Sequence, residues 1–325
     1  MEMMKRIVSV GPKQSRIEEV PKPVCGVGEL LIRNKYLGVC MSEHYGWSHA
    51  SSGMAFGHEP LGIVEKIGEG VEGFEVGDVV SGFWGSQLPG GGMQEYAVAR
   101  PDGLWKIPAN VREVDCILEP LACMMSAVSK ARVNMPGTEV CVVGAGYMGC
   151  GAISLLKLRG AYVVAVDPNP ESRKNALKYG AHEVYTPEEM EEKLASGFKG
   201  YEIVMEWAET NESLELAAKL TRMCGQLCIG AYHTGEKRLV DMELLNVRAI
   251  DCLSVHPREW ELNKTGAENA IRMLSDGRWE YQNIPVKVYP MSKFDLAQAE
   301  LETKFGSHMK AVIDMSMLDG EPYII

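Results

Sequence analysis

The chain has 325 residues, 33 basic and 44 acidic, for a net charge of −11. That balance argues against a nucleic-acid binder, which would present a basic face, and no apolar run reaches the ~18 residues of a membrane-spanning helix. At about 100–200 residues per domain the length fits two domains, and 46% hydrophobic residues suffice for ordinary globular cores.

The N-terminus, Met1 to Arg6, runs into strand-like Ile7–Val10 with no apolar stretch of the signal-peptide kind, so a cytoplasmic protein is expected. Residues 1 to about 120 are rich in strands and turns, with candidate strands at 5–10, 29–37, 61–67, 77–83, 93–99 and 104–107. Gly and Pro punctuate them, as in an antiparallel β-core. From about 120 to 256 the rhythm changes. Strand-like runs at 140–143, 162–166, 183–185, 202–207, 226–231 and 249–255 alternate with helical patterns, among them 147–159 and 170–178. That βαβ alternation predicts a parallel, doubly wound sheet. The last stretch is mixed, with a helix near 265–275, a strand at 284–288, a helix at 294–303 and a strand at 311–313. There is no internal repeat. Nine cysteines at scattered positions read as reduced thiols rather than a disulfide framework. Cys224 and Cys228 read as packing residues of a strand.

Gly144-Ala145-Gly146-Tyr147-Met148-Gly149 is a G-x-G-x-x-G turn between a buried-type strand and a helix. The first Gly makes the tight bend. The second lets the backbone approach a pyrophosphate, and the third lets helix and strand pack closely. The helix N-terminus offers free N–H groups and a positive dipole end to phosphates. An acid ending the next strand should hold the ribose hydroxyls. Asp167 stands there, and its charge would repel a 2′-phosphate, favouring NAD over NADP. Arg173, six residues on, keeps NADP open. A βαβ unit with a tight turn and no cofactor is the bland alternative.

In the first region, Cys40, Ser42, Glu43 and His44 are followed by Gly57-His58-Glu59-Pro60. Catalytic zinc takes about three N, S or O ligands and keeps one open position. Cys40, His58 and a carboxylate meet that need. Singly, a Cys is usually core and a His usually a satisfied loop residue. Glu119, before Pro120, reads equally as an ordinary helix start.

Together and in this order, Gly28-Glu29, Cys40, Gly57-His58-Glu59, Gly77-Asp78-Val79-Val80, Glu119-Pro120-Leu121, the glycine turn and Asp167 resemble the medium-chain dehydrogenase/reductase family, specifically its zinc-dependent alcohol and sorbitol dehydrogenase branch. The likeness covers nearly the whole chain. It implies a GroES-like, β-rich catalytic domain (residues 1–121 and 258–325) with a Rossmann NAD-binding domain (122–257) inserted, and an active site in the cleft between them. Carried over by position, Cys40 and His58 would be zinc ligands, and Glu59 a ligand or swing-in ligand. Glu119 would reach zinc directly or through its water. Ser42 would take the substrate proton, and Glu43 would orient the zinc-bound His. Gly144, Gly146, Tyr147, Met148, Gly149, Asp167 and Arg173 would form the cofactor site.

Three departures stand out. The lobe of four closely spaced cysteines that holds a structural zinc is missing, since only Ser81 to Leu88 separate Val80 from the Gly90–Gly92 stretch. One catalytic zinc at most is expected. His44 falls one place before the usual relay histidine. Glu206-Trp207-Ala208-Glu209 lacks the common Gly at its strand end. The resemblance implies a zinc- and NAD-dependent oxidoreductase acting on a secondary alcohol, with a polyol, sugar or sugar derivative favoured by Glu119 and the missing lobe. Trp47, Arg258 and Glu259 are candidates for substrate contact, or ordinary surface or hinge residues. Two other functions stay open: a redox-neutral enzyme using tightly held NAD for epimerisation or elimination, and a non-catalytic NADP(H)-binding relative. A homodimer or homotetramer paired through the strand at 249–255 is expected, with no nucleic-acid or membrane partner.

Overall fold

The computed structural model describes residues 2–84, 92–235, 237–303 and 308–325. Its contacts divide the chain into two compact units: Met1–Leu121, Ala270–Ser275 and Gln282–Ile325 in the first, Ala122–Asn269 and Asp276–Tyr281 in the second. Sequence rhythm divides the chain at 257/258. Contacts instead leave residues 258–269 with the second unit and return 276–281 to it.

In the first unit, β1 (Met3–Gly11) and β2 (Gln14–Pro21) form an antiparallel hairpin. The sequence pattern misses β2 because charged Arg16, Glu18 and Glu19 interrupt its few apolar residues. The larger sheet uses β3 (Leu30–Val39), β4 (Pro60–Ile67), β5 (Val79–Gly82), β6 (Tyr96–Ala99) and β7 (Leu104–Lys106). From the far end of the chain come β14 (Val286–Pro290), β15 (Lys310–Asp314) and the short β16 (Tyr323–Ile324). Their order is β16-β14-β15-β3-β4-β5-β7, with β6 also paired to β3. Helix α1 (Met41–Ser48) follows β3, α2 (Leu118–Ser129) leads into the second unit, and α9 (Phe294–Glu300) precedes β15. Leu37, Phe56, Tyr289, Phe294 and Ile313 share one core cluster.

The second unit is a six-stranded parallel sheet, β10-β9-β8-β11-β12-β13. Its strands are β8 (Glu139–Val143), β9 (Tyr162–Val166), β10 (Glu183–Tyr185), β11 (Tyr201–Glu206), β12 (Thr221–Ile229) and β13 (Asp251–Ser254). The central strands are nearly unbroken runs of buried Val, Ile and Cys, as expected of parallel strands covered on both faces. Helices α3 (Tyr147–Leu158), α4 (Pro170–Tyr179), α5 (Pro187–Ala195), α6 (Asn211–Leu220) and α7 (Met242–Val247) are interspersed along this sheet, and α8 (Trp260–Ser275) runs on towards the first unit. Their starts follow local chemistry. Asn169 caps α4 by accepting from the Glu171 and Ser172 amides, with Pro170 in the first turn. Thr186 and Glu189 close a capping box on α5. Helix α3 has no side-chain cap.

The 276–281 segment straps onto α3. The Trp279 indole N–H donates to Ser154 Oγ at 2.7 Å, and the Tyr281 hydroxyl to the Tyr147 carbonyl at 2.6 Å. Both aromatic residues are buried. All nine cysteines are free thiols. Cys228 is buried as expected. Cys224 is not a packing residue: it sits exposed at φ +57° where β12 bends, and that bend turns its side chain outward.

Candidate active site

The first cluster forms where β3 meets β4. Antiparallel pairing sets Leu37 against Pro60, so Cys40 leaves the end of β3 as His58 and Glu59 enter β4. Two glycines make this possible. Gly38 leaves room for the Glu59 side chain, whose Oε2 would lie 1.8 Å from any Cβ there. Gly57 has φ +97°, and a Cβ on it would meet the Met93 amide nitrogen at 2.5 Å. The ligand atoms of Cys40, His58 and Glu59 then lie within 4.8 Å of one another. Among the described residues this is the one group of three or more such side chains so placed. A thiolate, an imidazole and a carboxylate gathered this closely are the donor types that a catalytic zinc takes.

Glu43, in the first turn of α1, stands behind this group. One carboxylate oxygen accepts from the Gly57 amide at 2.6 Å and pairs with His58 Nδ1 at 2.8 Å. An Nδ1–H donating to Glu43 leaves the Nε2 lone pair for a metal. Burial alone would lower the His58 pKa, but the Glu43 charge and the Cys40 contact outweigh it and raise it. Ser42 donates its hydroxyl hydrogen to Cys40 Sγ at 3.3 Å.

Glu59 is buried and forms an ion pair with Lys310, itself buried. Register places this lysine: β15 runs antiparallel to β3 with Ala311 opposite Val39, which sets Lys310 beside Cys40. Its Nζ also donates to the Val39 carbonyl at 3.2 Å. Burial would raise the Glu59 pKa, but the charges of Lys310 and His58 and the bonds with Lys310 and Cys40 together lower it. Glu119 lies outside the group of three, in the first turn of α2, and its charge acts on Lys310. Sequence reading misses Lys310. Its only signal is a cation heading an apolar strand, which usually means a solvated strand end.

The second cluster is the glycine turn between β8 and α3. Gly144 adopts φ +93° against the backbone of 207–208, and a Cβ on Gly149 would lie 1.9 Å from the Gly144 carbonyl oxygen. A Cβ on Gly146 would meet nothing within 4 Å. Tight bend, close packing and open approach are thus divided among the three glycines as a pyrophosphate turn requires. Gly146 also N-caps α3 without a side chain, leaving the first-turn amides for an anion. Asp167 follows β9, with Oδ2 accepting from Ala145 N and Oδ1 from Asn169 N, each at 2.8 Å. Burial raises its pKa. Arg173 donates to the carbonyls of Asp167 at 2.7 Å and Pro168 at 2.9 Å. Tyr147 and Met148 are half-buried in the first turn of α3.

Trp47 is corrected to a core residue: it is 2% exposed and its indole donates to Asp295 Oδ1 at 2.8 Å. His44 Nε2 stands 2.9 Å from Glu302 Oε1. Arg258 and Glu259 are exposed after β13, with Glu259 paired to Lys130 at 3.2 Å. The expected absence of a four-cysteine lobe is read largely on residues 85–91, outside the described residues. Sequence reading also misses a buried carboxylate ending β11. Glu206 accepts from the amides of Ala208 and Glu209 and from the Ser213 hydroxyl, and pairs with His233 Nε2 at 2.9 Å.

Comparison with known proteins gives two family models. Residues 26–109 match the alcohol dehydrogenase GroES-like domain, and residues 148–265 the zinc-binding dehydrogenase model. The chain is 27% identical to a probable D-xylulose reductase A of Arthroderma otae over 93% of this chain and 95% of that one. It is 25% identical to a sorbitol dehydrogenase of Halalkalibacterium halodurans over 95% and 99%. The fold is that of acetophenone reductase from Geotrichum candidum NBRC 4597, solved in complex with NAD, with a TM-score of 0.80, 22% identity, and 97% and 98% of the two chains covered. No helix among the described residues is long and apolar enough to cross a membrane.

Proposed function

The chain belongs to the medium-chain dehydrogenase/reductase family, in its zinc-dependent alcohol and sorbitol dehydrogenase-like branch, and on that premise we propose that it oxidises a secondary alcohol, a polyol, sugar or sugar derivative, with NAD as hydride acceptor. The observation that carries this reading is the convergence of Cys40, His58 and Glu59, with Glu43 bonded to the far nitrogen of His58. Names of the relatives, D-xylulose reductase and sorbitol dehydrogenase, favour a polyhydroxylated substrate.

When bound, zinc would lower the pKa of the substrate hydroxyl as a Lewis acid and NAD would take up the hydride. Cys40 and His58 would hold the metal. Glu43 fixes the ring and tautomer of His58. Glu59, held by Lys310, would be the third ligand or stay within reach as a reserve one, and Glu119 would act from the neighbouring helix. Ser42 would accept the substrate proton through its hydroxyl, and His44 would pass it outward. On the cofactor side, the α3 amides beyond Gly146 would bind the pyrophosphate and Asp167 the ribose hydroxyls. One zinc per chain and no structural zinc, a cytoplasmic location, and the division into a catalytic domain (1–121, 258–325) and an NAD-binding domain (122–257) complete the reading.

The test combines zinc analysis of the purified protein with NADH formation across polyols, sugars, sugar acids and amino alcohols. The expected result is about one zinc per chain and NADH formation with a polyhydroxylated substrate, both lost in Cys40→Ser. Full turnover by a metal-free Cys40→Ser protein would refute the zinc role. Copurified NAD with no net NADH would point instead to redox-neutral chemistry.

A further inference from the structure

The carboxyl edge of the parallel sheet holds a second set of polar groups. Register aligns Glu206 of β11 with Ile229 of β12, and Ile229 with Ser254 of β13. One row further on, Trp207 lies across Gly230, where a Cβ would meet the indole ring at 2.7 Å. Beyond β13, the His256 ring packs at 5.0 Å and 51° against the ring of Tyr232. Glu206 pins the next residue, His233, so the loop carrying Tyr232 is anchored from below.

Two buried nitrogens at this edge, Trp207 Nε1 and His256 Nδ1, have no hydrogen-bond partner among the described residues. A buried donor without a partner is destabilising, and such groups in a native fold call for an explanation, an absent ligand being one. Burial and the Arg258 charge lower the His256 pKa against a bond from the ring to the Pro257 carbonyl, so the ring is neutral near pH 7 and Nδ1, which has no partner among the described residues, keeps a lone pair. The indole can only donate. A ligand serving both nitrogens must offer an acceptor and a donor.

The sheet order says which part of a dinucleotide arrives here. β8, which carries the glycine turn, lies between β9 and β11. With the pyrophosphate on that turn and one ribose at Asp167 beyond β9, the other half must extend over β11, β12 and β13. In NAD that half ends in a nicotinamide, whose planar carboxamide presents one acceptor oxygen and one N–H donor group.

We propose that Trp207 and His256 clamp the cofactor's carboxamide, the indole N–H donating to its oxygen and His256 Nδ1 accepting from its nitrogen. The proposal rests on the NAD reading above and adds two positioning side chains to it.

The test is equilibrium binding, not turnover, with NAD, ADP-ribose and nicotinic acid adenine dinucleotide as probes. ADP-ribose lacks the nicotinamide, and the nicotinic acid analogue offers a carboxylate with no N–H. Trp207→Phe, which keeps an aromatic ring over Gly230, and His256→Ala should each weaken NAD binding about tenfold while leaving ADP-ribose binding unchanged. Unchanged ADP-ribose binding also shows that each variant is folded. The wild type should prefer NAD to the nicotinic acid analogue, His256→Ala should erase that preference, and His256→Asn should restore part of it. Equal losses for NAD and ADP-ribose, or none for either, would overturn the clamp and leave the NAD reading standing. A wild type that binds neither NAD nor ADP-ribose would overturn the NAD reading itself.

Discussion

On the proposed NAD reading, Asp167 is the side chain that sets the cofactor preference. Its carboxylate is held by two backbone amides at the end of β9, and burial lifts its pKa. Arg173, the residue that could favour a 2′-phosphate, turns its Nη1 to the Asp167 and Pro168 carbonyls. Asp167→Ala should therefore raise the KM for NAD by about tenfold, the scale of one or two hydrogen bonds, and should narrow the ratio of NADP to NAD Michaelis constants. A wild type that uses NADP better than NAD would contradict this. At this scale the sequence is readable where a motif is local. Cys40, Gly57-His58-Glu59 and the glycine turn each declare a chemistry within a few residues. Lys310 does not, because only the register of β15 on β3 brings it beside Cys40. Trp47 misleads for the converse reason: seven residues after Cys40 it looks available to a ligand, but α1 turns it into the core.

Elements were legible where apolar periodicity is unbroken. The strands and helices of the second unit follow their sequence patterns closely, since a buried parallel strand tolerates little but apolar residues. β2 and β16 escaped because one is mostly solvated and the other has two residues. Helix α9 ends at Glu300, short of the predicted 303, and that glutamate ties the helix to β14. It accepts from Lys287 Nζ at 2.6 Å and from the Tyr289 hydroxyl. Burial would raise the Glu300 pKa, but these two bonds lower it below its usual 4.5. A depressed acid stabilises the fold fully above its unfolded pKa and loses that contribution as pH falls through the folded value. Glu300→Gln should cost about 1 kcal/mol at pH 7, kept small by solvent screening. The gap between variant and wild type should close below about pH 4. Urea midpoints at the two pH values check this; a gap that widens in acid would contradict it.

On the scale of the whole molecule, the parallel sheet has an edge that is unpaired among the described residues. There β13 bonds to β12 on one side only, and an open edge strand is a template for pairing with another chain. Light scattering should give the mass of a dimer or tetramer, and Leu253→Glu should shift it towards the monomer; a monomeric wild type would contradict the pairing. The presence of two domains was legible in the change from turn-rich strands to βαβ alternation near residue 120. Their threading was not, because α8 keeps one amphipathic pattern while its residues pass from one unit to the other.

That threading bears on how such a protein can be taken apart. Trp279 and Tyr281 bond to α3, the helix after the glycine turn, yet lie beyond the last strand of its sheet. A gene fragment cut out at 122–257 leaves them behind, stripping α3 of an aromatic cover and the Ser154 hydroxyl and Tyr147 carbonyl of their donors. The unit is therefore no portable cassette. Grafting it onto another scaffold, or shuffling it between relatives, requires carrying the 276–281 strap along as a second piece of chain.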